Sequence, residues 1–255
     1  INLWRGWHKA LNSPASCVDI SRQRPWPPYP GYDVAFGTQW PMPIKTYEIE
    51  LQTLENYACK SDKHERAYSV ANLYLEPMNR IKKLDAKPGL AICIVPDTVY
   101  DNCRPQSFVQ NKSDKPKTGQ QKNTLKVVLN DYRTGQKRLF EDEELMETSG
   151  NLEQYGLSPD FRRQLKARIM QYEIPVQIVR ESTLAITTQV RNGDPGTNPL
   201  SDRLWNFSTA IFYKSGLKPW TTPWAREGVC YVGMAYKQAE QSKDKACCAA
   251  QMFLD

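Results

Sequence analysis

The apolar run LAICIV at residues 90–95 decides the fold, and it lies between Gly89 and the pair Pro96-Asp97. A short, continuous apolar run with glycine and proline at its ends is typical of a strand that is buried on both faces. A second run of this kind, IPVQIV, follows at residues 174–179. Because a long crossover and a helix separate the two runs, the pattern predicts parallel strands in an α/β layer. Ligands of such layers are expected beyond the carboxyl ends of the strands.

Helix signals surround these two strands. Asp62 can cap a helix whose apolar residues recur at helical spacing until Pro77 interrupts it. Ser158-Pro159-Asp160 predicts the start of the crossover helix with Ser158 as its cap, and Asp202 and Gly216 bracket a later helix. The predicted core faces are Phe161, Leu165, Ile169 and Tyr172 on the crossover helix, and Leu204, Phe207, Ile211 and Phe212 on the later one.

Two further patterns lie near the ends of the sequence. Residues 24–43 alternate proline with aromatic residues, which favours extended backbone packed on a larger body, or a polyproline ligand for a partner's groove. The apolar runs at 228–236 and 245–255 predict an antiparallel strand pair, whose edges more chain or a partner would have to cover. The first residues lack both an initiator Met and the apolar core of a signal peptide. We therefore expect the sequence to begin inside a longer protein.

The formal net charge of +6 is concentrated in one segment. Residues 112–138 contain eight Lys or Arg and two Asp, which accounts for the whole excess, and the acidic block EDEELME follows at 141–147. One interpretation is a solvated insertion whose basic and acidic parts offset each other. The other is a patch that follows a nucleic-acid backbone. Charge counting does not distinguish the two.

Composition and motifs exclude several classes of protein. The 255 residues are 40% hydrophobic and 24% charged, which is a globular composition, and no apolar stretch is long enough to span a membrane. Seven cysteines form an odd set without a CxxC pair, so they do not indicate a zinc site, and a reducing, cytoplasmic compartment fits them best. No phosphate-loop, GxSxG or HExxH motif is present, so we expect no active site within this segment.

A group of polar residues on separate elements is the candidate binding site. Arg162 and Lys166 stand at i and i+4 on the crossover helix, and taken alone they would be two solvated cations. Gln177 lies on the second strand and Lys214 near the end of the later helix, where both could converge on the same strand ends. Three cations and an amide around one point would form a pocket for a dianion such as a terminal phosphate.

Five segments in this order carry a family resemblance. They are ICIVPDTVYDNCRPQS (92–107), RRQLKARIMQYEIPVQIVRESTLA (162–185), LWNFSTAIFYKSGLKPW (204–220), REGVCYVGMAYK (226–237) and KACCAAQMFLD (245–255). Together they resemble the short prokaryotic Argonautes, above all those that work with a partner carrying an APAZ region fused to a TIR or sirtuin-like NAD-consuming domain. The resemblance covers roughly residues 24–255 and is weakest in the charged insertion.

The resemblance implies a domain organisation. Residues 1–43 would be an extended or linker segment, and residues 44–220 a Rossmann-like MID domain with a parallel sheet and the charged insertion at 108–157. Residues 221–255 would be the beginning of a PIWI domain, whose RNase H-like sheet would continue beyond them.

The resemblance also implies roles for individual residues. The family's pocket for the 5′-phosphate of a guide strand falls on Arg162, Lys166, Gln177 and Lys214, and a Mg²⁺ ion could assist at that end of the guide. The loop that begins at Pro96, Asp97 and Thr98 matches the place where the family contacts the first base. Cleaving members have a metal-binding Asp in a Gly-x-Asp segment, where this sequence has Gly233-Met234-Ala235. Because a methyl group cannot coordinate Mg²⁺, the resemblance implies that Ala235 abolishes target cleavage.

The implied function is recognition. A guide, expected to be RNA, would be held by its 5′-phosphate and would pair with complementary target DNA, and the paired state would activate the partner's NAD(P) hydrolysis in prokaryotic defence. The type of partner and any oligomerisation on activation stay open. A guide-directed nuclease that takes its carboxylates from a longer PIWI domain is one alternative. A non-specific nucleic-acid-binding module that depends on residues 112–138 is another.

Overall fold

Strand β1 (Ala91–Val95) and strand β2 (Val176–Arg180) pair in parallel, which confirms the arrangement predicted from the two apolar runs. The register places Ala91 opposite Val176 and Val95 opposite Arg180. The computed structural model describes residues 2–16, 27–40, 44–109, 130, 153–186, 198–219, 228–238 and 246–254. Its mixture of helices with a small parallel sheet is compatible with the predicted α/β class.

The helices of the described residues all lie in the same part of the chain as this sheet, between residues 1 and 217. They are α1 (Asn2–Leu11), α2 (Tyr32–Phe36), α3 (Leu51–Ala58), α4 (Lys63–Lys82), α5 (Asp97–Asn102), α6 (Glu153–Gly156), α7 (Phe161–Ile169), α8 (Glu181–Leu184) and α9 (Leu200–Lys214). A 3₁₀ turn, Met170–Tyr172, extends α7. The chain divides into two compact units, Ile1–Leu217 and Lys218–Asp255, close to the boundary predicted after residue 220.

Each face of the β1–β2 sheet packs against its own apolar cluster. Because side chains alternate along a strand, Cys93 and Val95 join a first cluster with residues of α3, α4, α5 and α7. Ile92 and Ile94 pack against a second cluster, which α1, α2 and α9 build. The predicted strand with apolar contacts on both faces is confirmed.

Helix α4 begins as predicted but does not end at Pro77. The Asp62 carboxylate caps it by accepting hydrogen bonds from the backbone N–H groups of His64 at 2.9 Å and Glu65 at 3.3 Å. The helix continues through Pro77 to Lys82. A proline inside a helix removes one backbone hydrogen bond and crowds the preceding turn. Met78 and Ile81 are buried beyond Pro77, and their apolar contacts with the first cluster hold the last turn in place.

Helix α7 begins two residues later than predicted. Asp160, not Ser158, is the N-cap residue, and its carboxylate accepts a hydrogen bond from the backbone N–H of Arg163 at 3.0 Å. The carbonyl of Ser158 instead accepts a hydrogen bond from the Gln164 side chain at 2.7 Å. The predicted core face is confirmed, because each of its residues is buried: Phe161, Leu165, Ile169 and Tyr172.

Helix α9 begins before the residue that was expected to cap it. Asp202 lies buried in the first turn, and Pro199 is the N-cap residue. The chain leaves the helix at Gly216, whose φ of 84° is a left-handed conformation that suits glycine, so the predicted stop is confirmed. The predicted core face is buried as well: Leu204, Phe207, Ile211 and Phe212.

In the described part of the amino-terminal segment, residues 2–16 and 27–40, the structure differs from the extended linker that we predicted for residues 1–43. Trp7 and Leu11 of α1 are fully buried in the second cluster. Tyr29 is also fully buried, and its hydroxyl shares a hydrogen bond of 2.8 Å with Ser208 on α9. Aromatic packing therefore makes this segment part of the first compact unit, since tryptophan and tyrosine bury large apolar areas.

The second compact unit contains the predicted antiparallel pair, β3 (Cys230–Gln238) and β4 (Ala246–Leu254). The basic stretch at 112–138 lies outside the described residues except for Asn130, as does most of the insertion predicted at 108–157. Among the described helices, none is both long and apolar enough to cross a membrane.

Candidate anion-binding site

Lys214 and Gln177, which lie far apart in the sequence, are in direct contact. The Nζ of Lys214 donates hydrogen bonds to Gln177 Oε1 at 2.6 Å and to the carbonyl oxygen of Val176 at 2.5 Å. Lys214 is the last residue of α9, so the packing of that helix against the sheet brings its side chain to β2. The aromatic ring of Phe212 stacks on Phe36 of α2 at 4.5 Å between centroids, which fixes this end of α9.

The two cations of α7 act on Lys214 electrostatically. Burial lowers the pKa of Lys214, and the positive charges of Lys166 and Arg162 lower it further. Like charges have this effect only when they lie close to the group that titrates. The structure thus places Gln177 in contact with Lys214, and the charges of Lys166 and Arg162 act on the pKa of Lys214.

Arg162 and Lys166 are exposed on α7. The residues that the structure describes give neither of them, nor Lys214, an ion-pair partner within 4.0 Å. The charges of Lys166 and Arg162 disfavour the charged form of Lys214, and a bound anion would relieve that effect. We call Arg162, Lys166, Gln177 and Lys214 the cation cluster.

The cation cluster lies at the amino end of β2, not at the carboxyl ends where we expected ligands. Gln177 is the second residue of the strand, and the carbonyl that Lys214 contacts belongs to the first. Helix α7 packs on one face of the sheet and α9 on the other, so the cluster draws its cations from both faces. The reason is the position of Lys214 at the end of α9, which reaches β2 where that strand begins.

The residues predicted to contact the first base form the start of a helix. Pro96 is the N-cap of α5, and Asp97 and Thr98 lie in its first turn. The Asp97 backbone N–H donates a hydrogen bond to Glu181 Oε1 at 2.7 Å, and its carboxylate accepts one from Arg180. This segment was expected to be a loop, and the helix begins as soon as β1 ends.

Arg180 organises the carboxyl end of the sheet, and sequence reasoning missed it. Besides Asp97, its guanidinium contacts the Asp101 carboxylate at 3.2 Å and lies 4.5 Å from the ring centre of Tyr100. Burial lowers the pKa of Arg180, but the hydrogen bond to Asp97 and the nearby carboxylates outweigh that effect and raise it. The signal was in the sequence: Arg180-Glu181 follows a buried strand directly, where polar side chains of parallel sheets gather.

The cation cluster does not suit a Mg²⁺ ion. Magnesium binds oxygen ligands, whereas this cluster presents three cations, and its one amide oxygen already accepts a hydrogen bond from Lys214. Within the part of the chain that the structure describes, no group of three or more His, Cys, Asp or Glu side chains is placed to hold a metal ion. In the second unit, Ala235 lies on β3 opposite Ala249 of β4.

The sequence matches no protein-family model, and no curated protein matches it.

Proposed function

We propose that this chain is the guide-binding, non-cleaving subunit of a short prokaryotic Argonaute system. In this proposal the cation cluster holds the 5′-phosphate of a guide, expected to be RNA, whose bases pair with complementary target DNA. The paired state then activates an associated APAZ-containing protein with a TIR or sirtuin-like domain that hydrolyses NAD(P). The first unit would be a MID domain, and β3 and β4 would open a PIWI domain.

One observation carries the proposal. Lys214 is hydrogen-bonded to Gln177 and lies within the electrostatic reach of Lys166 and Arg162, although the four residues come from three separate elements. A terminal phosphate is a dianion with several acceptor oxygens, and it would satisfy cations that repel one another in the free protein. The proposal that the chain does not cleave its target has a separate basis, because Ala235 provides no metal ligand.

The experiment compares two oligonucleotides that differ only at the 5′ end. Binding of 5′-phosphorylated and 5′-hydroxyl RNA of one sequence is measured by fluorescence anisotropy, and the quantity of interest is the ratio of the two Kd values. Lys166→Ala removes a charged donor, and a charge-assisted hydrogen bond is worth about 1.5–3 kcal/mol. Because Lys166 is exposed, we expect the lower end of this energy range, which corresponds to a preference for the 5′-phosphate that is about tenfold smaller.

Arg163→Ala is the matched control. Arg163 is exposed on the same helix, and its Nε lies 3.8 Å from the Asp160 carboxylate. Its removal changes the net charge by the same amount, so general attraction to nucleic acid weakens equally for both oligonucleotides. Equal binding of the two 5′ ends by the unmodified protein, or equal ratios for Lys166→Ala and Arg163→Ala, would refute the assignment of the cation cluster.

A further inference from the structure

The side-chain amide of Gln177 is held at both of its ends. Its Oε1 accepts the hydrogen bond from Lys214 Nζ at 2.6 Å, and its Nε2 donates to the carbonyl oxygen of Ile178 at 3.2 Å. Because an ammonium only donates and a carbonyl only accepts, the two neighbours select the same orientation of the amide. The oxygen of Gln177 is therefore fixed where it faces Lys214.

Gln177 lies on the face of the sheet that α9 covers. Val176 and Ile178 pack against the first cluster, whereas Val179 belongs to the second. Because side chains alternate along a strand, Gln177 shares its face with Val179. Helix α9 supplies residues of the second cluster, so its last residue, Lys214, meets the amide on that face.

The Lys214 ammonium uses two of its three N–H groups in these contacts. One donates to Gln177 and one to the carbonyl of Val176, and the described residues offer no further acceptor for the third. A lysine side chain is flexible, and its donors rotate freely when nothing holds them. Two fixed acceptors restrict the ammonium to one arrangement, in which the remaining donor is available to a ligand.

From this geometry we propose that Gln177 is a positioning residue, which acts on the bound anion through Lys214 and does not contact it. The inference rests on the proposed function, since the anion is the 5′-phosphate of a guide. It also differs from the role that the family resemblance implies, in which the glutamine belongs to the phosphate pocket itself. The amide oxygen suits the ammonium and would repel a phosphate oxygen, because both oxygens are acceptors.

The experiment is a double-mutant cycle on the preference for a 5′-phosphate, the ratio of Kd values for the two oligonucleotides. Gln177→Met removes the amide from the full chain and keeps a side chain of similar length. We expect the preference to fall by about two- to tenfold, the value of one hydrogen bond. In the Lys214→Met background the same change should alter the preference by less than about twofold, because no ammonium remains to be positioned.

Lys166→Ala provides the matched cycle. It weakens the preference without removing either contact of Lys214, so Gln177→Met should have its full effect in this background. Circular dichroism checks that each variant folds. Gln177→Asn, whose amide is too short to hold both contacts, takes the place of Gln177→Met if the methionine variant is unfolded.

The two cycles give a clear refutation. A group that contacts the phosphate directly contributes independently of Lys214. Equal effects of Gln177→Met in the Lys214→Met and Lys166→Ala backgrounds, whether large or absent, would therefore overturn the inference. If the unmodified protein shows no preference for a 5′-phosphate, the proposed function fails instead, so the two failures are distinguishable.

A pH profile separates positioning from a purely structural role. Burial and the charges of Lys166 and Arg162 lower the pKa of Lys214, and Cys93 acts in the opposite direction. An acceptor favours the charged form of a lysine, so loss of the Gln177 amide should lower that pKa further. Measured with the DNA forms of the oligonucleotides, which resist alkali, the 5′-phosphate preference should be lost at a lower pH in Gln177→Met than in the unmodified protein. An unchanged pH for this loss would overturn the inference.

Discussion

Replacement of Lys214 by methionine separates a ligand-binding lysine from a structural one. The change removes the ammonium and the two hydrogen bonds to Val176 and Gln177, and it keeps the apolar stem. If the lysine is needed for folding, its loss should lower the free energy of unfolding by several kcal/mol, because buried acceptors would stay unpaired. If the lysine binds an anion, its loss should instead weaken the binding of that anion.

The structure favours small changes in stability. Each lost hydrogen bond is worth about 0.5–1.5 kcal/mol, and water can replace both because Lys214 is only half-buried. Burial and the charges of Lys166 and Arg162 lower the pKa of Lys214 from 10.5, so the folded chain holds that proton less tightly than the unfolded chain. The charged lysine therefore opposes folding at neutral pH, and its removal relieves that cost. We expect the free energy of unfolding to change by less than about 1 kcal/mol.

The effect on phosphate binding should be larger. Loss of a partly desolvated, charge-assisted donor is worth about 1.5–3 kcal/mol, which is roughly 10- to 150-fold in the preference for a 5′-phosphate. Anisotropy with the two oligonucleotides and urea unfolding are measured on the same preparations. Lys83→Met, an exposed lysine after α4, is the charge-matched control. A Lys214→Met protein that loses several kcal/mol of stability while its 5′-phosphate preference persists would refute the reasoning.

Two further predictions concern stability alone. Arg66 is fully buried and donates hydrogen bonds to the carbonyls of Lys60, Ser61, Asn102 and Ser107. Arg66→Met should therefore lower the free energy of unfolding, measured by urea titration, by about 3–5 kcal/mol. A loss below about 1 kcal/mol would contradict this prediction. Burial raises the pKa of the Cys93 and Cys103 thiols from 9.0 to about 12. Above pH 9 the unfolded chain releases protons that the folded chain keeps, so stability should fall by about 1.4 kcal/mol per pH unit for each thiol between those values. Cys103→Ala should make this fall in stability with pH less steep, and an unchanged slope would contradict the raised pKa of Cys103.

The sequence predicted the parts of the fold that short-range patterns control. The strands around Cys93 and Ile178, and the core face of α7 from Phe161 to Tyr172, depend on periodicity that burial enforces. Capping at Asp62 was predictable because the capping hydrogen bonds are local: its side chain accepts them from the backbone N–H groups of His64 and Glu65.

Other features depended on contacts that no local pattern contains. Pro77 stays inside α4 because buried residues on both sides of it pack in the first cluster. The helix at residues 2–11 is stabilised by aromatic contacts with α9, such as that between Trp7 and Phe207, whose ring centroids are 5.6 Å apart although the two residues are far apart along the chain. The contact of Lys214 with Gln177 was predicted as a convergence, but its place at the amino end of β2 follows from the path of α9, which spacing does not specify.

The second apolar cluster has a practical consequence for the design of truncated variants. Helix α9, which carries Lys214, rests on tryptophan and tyrosine rings contributed by the first forty residues. A truncated protein that starts at Ile44 would leave one side of the sheet and much of that helix exposed to water. Binding assays on such a protein would test a destabilised fold and not the intact candidate site. Removal of the proline-rich stretch as if it were a tether would therefore discard part of the support beneath the candidate site.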